Sequence, residues 1–230
     1  MARVLVLVLS ALSLCAGPVS AADVFVEPVG TDRYVMARPS PLWAGYYLGL
    51  YAGGAFGQSS HDSPPGGVIL STGSFPVSGA VIGGTIGFNF QRDNLVAGIE
   101  FDAGWANIKG STSNNCGGMS CETSNPGVIT LRGRLGYAFD RILPFVTIGG
   151  ALADVRAEVP GLGATNPQKA ALAFGGGIEY LFGINWTAKI EYLYIDFGRT
   201  TCNDCNPGFA DTVTLKINVV RAGLNYKFDW

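Results

Sequence analysis

Charge is scarce in this chain. Asp, Glu, Lys and Arg make up 14% of its 230 residues, against about 25% in ordinary soluble domains. Their formal sum is −2, so no basic surplus exists to meet a phosphate backbone, and no nucleic-acid partner is expected. Histidine is nearly absent too, His61 being the single one. Catalysis by a histidine base beside a hydroxyl or carboxylate therefore has one possible place, SSHDSPPGG, with Ser60, Asp62 and Ser63 close by. In so Pro- and Gly-rich a loop that cluster is expected to be solvated. No catalytic residue, cofactor or metal ligand is assigned, and no enzymatic activity is expected. Long apolar runs are missing after Ala22. A spanning helix needs about 20 apolar residues, and ILPFVTIGGALA (142–153) is too short and holds Pro144, Gly149 and Gly150.

The N-terminus is different. Arg3 is followed by an apolar run from Val4 to Ala16 and then by small residues, which reads as a secretory signal peptide over 1–22. Cleavage fits after Ala22 or Ala21. A membrane helix is the alternative, but the run is short. Cys15 follows the bulky Leu14, which argues against a lipoprotein site. Residues 23–42, with three prolines and no sustained period, read as an extended periplasmic linker.

Glycine is abundant, 33 residues, about twice the usual share. It weakens helices, and in an apolar chain that points to β-structure. The stretch LVAGIEFDAGW (95–105) shows the pattern. Leu95, Ile99, Phe101 and Trp105 fall on one face and Glu100 and Asp102 on the other, the alternation of a strand. Eight such segments follow Trp43: about 45–57, 77–91, 95–108, 128–139, 144–154, 171–182, 186–197 and 213–228. They are long for soluble strands, whose commonest length is about 5–6 residues, and long enough to cross a bilayer when tilted. Their connections alternate. QRDN, DRIL and GIN are tight, whereas 58–76, 109–127, 155–169 and 198–212 are long, as in outer-membrane barrels. Aromatics gather at the segment ends. Trp43, Tyr46, Phe90, Tyr137, Phe145, Tyr180, Trp186 and Phe228 stand toward the tight turns; Phe56, Trp105, Phe174, Tyr192 and Tyr194 stand toward the long loops. Two aromatic belts are expected at the two interfaces. The glycine clusters GGTIG (83–87) and GGGIEY (175–180) lie inside these segments with no helix after them, which rules out a phosphate loop.

WAGYYLGLYAGG (43–54), VAGIEFD (96–102), LRGRLGYAFDRILPFVTIGGAL (131–152), FGGGIEYLFGINWTAKIEYLYIDFG (174–198) and NVVRAGLNYKF (218–228) resemble the small outer-membrane β-barrel family of Gram-negative bacteria. The resemblance is to its porin-like or surface-antigen branch, related in fold to the OmpA membrane domain. It spans Trp43 to Trp230 and implies an all-β, eight-stranded antiparallel transmembrane barrel in the outer membrane. The partners it implies are outer-membrane lipid and whatever ligands the loops meet. The terminal run Leu224, Tyr226, Phe228 and Trp230 resembles the signal read by the outer-membrane assembly machinery. Within the last strand the apolar phase breaks at Val219–Val220, which predicts a β-bulge near 218–220 or an upper part standing above the bilayer.

Four cysteines remain after cleavage, Cys116 and Cys121 in the second long loop and Cys202 and Cys205 in the fourth. An oxidising compartment favours disulfides over zinc. Bridges within a loop or between loops both remain open, since four cysteines allow three pairings.

If lipid takes Ile99, Phe101, Leu131, Leu135, Ile190 and Leu224, the opposite faces must point inward. The inward set holds Glu100, Asp102, Glu179 and Glu191 against Arg132, Arg134, Lys189, Arg221 and Lys227. Counted from the tight-turn ends, Glu100 should lie level with Arg134, Asp102 with Arg132, Glu179 with Lys189 and Glu191 with Arg221. An eight-stranded lumen is just wide enough for side chains to fill, so this set predicts a polar plug and a structural or surface-interaction protein. The alternatives are a narrow porin-like diffusion channel and, less favoured, a lipid-modifying barrel enzyme.

Overall fold

The computed structural model describes residues 42–62, 71–116, 120–154, 156–159, 163–165, 168–206 and 209–228. The expected signal peptide and most of the linker lie outside them.

Every described strand pairs antiparallel with its neighbours. In chain order they are β1 (Gly45–Asp62), β2 (Ser74–Arg92), β3 (Leu95–Thr112), β4 (Cys121–Tyr137), β5 (Ile142–Asp154), β6 (Arg156–Val159), β7 (Gly163–Thr165), β8 (Gln168–Leu181), β9 (Trp186–Asn206) and β10 (Phe209–Lys227). The pairing runs β3-β2-β1-β10-β9-β8-β5-β4 and closes through β3 with β4. The short strands β6 and β7 pair with each other, and β6 also pairs with β4 where β5 has ended. They thus prolong the walls begun by β5 and β8. The result is a closed eight-stranded barrel with no sheet edge to leave backbone groups unpaired in lipid.

The tight turns form as their residues dictate. Asp93 and Asp140 take φ of 54° and 51°, a left-handed conformation that Asp tolerates better than most residues. At the opposite end the strands run beyond their expected limits. β1 runs on to Asp62 and β3 to Thr112, and β4 begins at Cys121 rather than near 128.

Two zones divide the wall. In the lower zone Leu48, Ile99, Leu131, Leu135, Ile190 and Leu224 point outward, and the inward positions at the height of the charges are mostly polar. Above Phe56, Trp105, Tyr194 and Val220 the pattern inverts. Gln58, Asn107, Asp196 and Asn218 now face out, while Ala55, Ile108, Leu193, Ile217 and others pack inside as one buried apolar cluster. The inversion explains β10. Val213, Leu215, Ile217, Val219 and Arg221 all point inward without a change of phase. No bulge lies at 218–220; the register shifts against β9 fall between Thr214 and Lys216 and between Phe209 and Asp211. The second reading of the Val219–Val220 pair, a wall rising above the bilayer, accounts for it.

Two aromatics leave the expected belt. Trp43 is buried at the lower mouth with Val96, Ala138, Leu143 and Leu181, its indole N–H donating to the Asp140 carbonyl at 3.0 Å. Phe145 also turns inward.

Leu135→Arg, at the lipid face, should destabilise the refolded barrel by about 2–4 kcal/mol in urea titrations in lipid vesicles. Thr214→Arg, on the outer wall of the upper zone, should change stability by no more than about 0.5 kcal/mol.

Candidate functional site in the barrel lumen

Register places the lumen charges. Glu100 on β3 lies directly opposite Arg132 on β4, with Gly98 opposite Arg134 and Asp102 opposite Thr130. Glu191 faces Arg221 across β9 and β10, and Glu179 faces Lys189 across β8 and β9. The β3–β4 alignment is therefore one inward position away from the level count, because that count ignores strand stagger.

Arg132 is the hub. Its guanidinium lies 2.5 Å from Glu100, Asp102 and Glu191 alike, and both it and its partners are almost wholly buried. Arg221 joins Glu191 at 2.6 Å and Asp102 at 2.9 Å. Lys189 sits opposite Glu179 in register, yet its ammonium reaches Glu100 at 2.6 Å and approaches Glu191 at 3.9 Å. Arg134 takes Glu179 instead, at 2.6 Å. Four carboxylates and four cations thus interlock at membrane height. Lys227 stands lower, where its ammonium donates to the Leu42 carbonyl.

Neutral groups complete the layer, and the charge pattern gave no sign of them. Thr85 and Thr130 donate to Asp102, Thr187 and Asn225 to Glu179, and Tyr47 to Glu100 at 2.8 Å. Arg134 donates to the Tyr47 hydroxyl at 3.0 Å and lies over the Phe145 ring, 4.3 Å from its centroid. Arg221 lies over Tyr51 at 4.2 Å. The two tyrosines need room, and glycine supplies it. A Cβ on Gly87 would strike the Tyr47 ring, and one on Gly104 the Tyr51 hydroxyl. These partners share the inward phase of their strands, which is the signal that would have found them.

Buried charge is costly unless paired and hydrogen-bonded. This layer meets both conditions, and its chemistry is that of mutual neutralisation. A cavity of about 30 Å³ remains between it and the apolar cluster above, bordered by Tyr51, Val128, Thr130, Leu193, Val219 and Arg221.

The family profile described as outer membrane protein beta-barrel domain matches residues 8–228. The chain belongs to this outer-membrane β-barrel family. Its place is the cell outer membrane. The 31 kDa outer-membrane immunogenic protein of Brucella melitensis is 34% identical, over 97% of this chain and 99% of the relative. The 22 kDa outer membrane protein of Rhizobium leguminosarum is 28% identical, over 83% and 81%. The crystal structure of the outer membrane protein OprG from Pseudomonas aeruginosa shares the fold, with a TM-score of 0.55 at 14% identity, covering 80% of this chain and 97% of that one.

The upper end of this family member departs from expectation. His61 is not solvated. It belongs to β1 and is fully buried, its Nε2 3.1 Å from the Thr123 hydroxyl, which is itself 3.0 Å from that of Ser59. β1 continues through His61 and Asp62 before the Pro–Gly run begins at Pro64, and that turns His61 inward. Cys116 and Cys121 form a disulfide within the second loop. Cys202 and Cys205 lie on β9, and their side chains are outside the described residues.

Arg132→Ala would leave three carboxylates short of their shared cation. It should lower unfolding free energy in lipid vesicles by about 3–5 kcal/mol, whereas Arg132→Lys should recover part of that loss.

Proposed function

We propose that this protein is a closed, non-enzymatic outer-membrane barrel with a structural and surface-presenting role, its lumen plugged by the charged layer. The observation that carries this reading is the mutual pairing of the charges at membrane height. A conducting pore needs polar groups that face water and bind ions weakly enough to release them. Here Arg132, Arg221, Lys189 and Arg134 are spent on carboxylates of the opposite walls.

The long-loop end then carries the contacts with the surroundings. The Brucella relative is named an immunogenic protein, and the same display of loops at the cell surface is proposed for this chain. The end of β10 and Phe228 just after it, with Val220, Leu224, Tyr226 and Phe228 facing out, are proposed as the segment handed to the assembly machinery. Outer-membrane lipid covers the remaining outward face.

Planar-bilayer recording tests the reading. The refolded wild type should show no steady openings above the bare-membrane leak. Large, regular openings would replace the plug with the diffusion-channel reading.

A further inference from the structure

The upper zone of the barrel has a filled interior of its own. Val77, Ile108, Leu193, Ile195, Leu215 and Ile217 are each almost wholly buried there. They come from β2, β3, β9 and β10, so the cluster reaches across the lumen and does not merely line one wall. The outer wall at this height carries Gln58, Ser78, Asn107 and Lys216 in exposed positions. A wall that is polar outside and apolar inside is the pattern of a water-soluble barrel, and it needs no lipid to hold it together. The space between this cluster and the charged layer is only about 30 Å³, near the volume needed for one water.

We infer that this apolar layer is a second seal, sufficient by itself to keep ions and polar solutes from entering the lumen from the cell exterior. The inference rests on the closed-barrel reading and extends it. An ion entering from outside passes the buried Ser59, His61, Thr123 and Asn125 side chains and then reaches the level of Ala55, Val81, Ala106, Leu193 and Val219, apolar groups that cannot replace its hydration shell, and narrow apolar constrictions shed water. The charged layer below then serves the fold and the alignment of the walls, and exclusion from outside does not depend on it.

A reporter thiol at the level of the charges separates the two seals. Thr147 on β5 points inward beside Arg132, 3.3 Å from its guanidinium. Thr147→Cys is made in a chain carrying Cys202→Ser and Cys205→Ser, with the Cys116–Cys121 bridge kept. A charged, membrane-impermeant maleimide is applied to intact cells. The starting chain should remain unlabelled; free labelling there would overturn the closed-barrel reading itself. Neutralising the ion-pair layer in balance, with Glu100→Gln, Asp102→Asn, Arg132→Gln and Arg221→Gln, should also leave it unlabelled. Labelling of that variant would show that the ion pairs were the seal and would overturn the inference while leaving the closed reading intact. Leu193→Ser with Ile217→Ser in the starting chain should speed labelling by about tenfold or more, and no change there would equally overturn it. Heat-modifiable gel migration reports that each variant has folded. Should the fourfold variant fail to fold, Glu100→Gln with Arg132→Gln puts the same question with the same two decisive outcomes.

Discussion

An eight-stranded barrel encloses little more room than its own inward side chains occupy. Long inward side chains therefore meet those of other walls as well as their neighbours in the sheet. That constraint makes Arg132 meet carboxylates from β3 and β9 at once. It also sends the Lys189 ammonium past Glu179, its partner in register, to Glu100. Glycines at 87 and 104 belong to the same arrangement, since the rings of Tyr47 and Tyr51 occupy the volume that a side chain would need.

The surroundings decide which groups fill that narrow interior. Where hydrocarbon covers the outside, apolar side chains can be satisfied outward, and the interior takes the charges. Where water covers the outside, the preference reverses, and Val219 succeeds Arg221 along β10. Below the charges a third set, around Trp43 and Leu143, is apolar again and lies at the lower mouth. The lumen is thus a stack in which a charged layer is held between two apolar ones. Removal from water strengthens the attraction within that layer and also makes any unpaired member more costly.

Much of the barrel could be read from the alternation of residues, because a period of two is unambiguous over strands this long. The outward set and the alternation of tight and long connections needed nothing more. Four features were hidden. The alignment of Glu100 with Arg132 depends on stagger between strands, which no single strand encodes. Val219–Val220 reads as a change of phase wherever polarity marks the interior, but the interior itself changes character at that height. His61 looked solvated because its loop is rich in Pro and Gly, yet the ladder with β10 continues through His61 and Asp62 before that composition takes hold. The neutral donors of the charged layer went unnoticed for a plainer reason: Thr and Asn at inward positions are unremarkable until a carboxylate is known to lie beside them.

Two of the surface loops are fastened to each other. Asn114 donates to the Thr72 carbonyl and Asn115 to that of Ser71, across separations of 42 and 44 residues. The Cys116–Cys121 bridge holds the second loop just beyond those contacts. Ser71, Thr72, Asn114 and Asn115 therefore form one patch of surface contributed by both loops. A linear peptide copied from either loop would present only half of it, and without the hydrogen bonds from the other loop it would lack the shape.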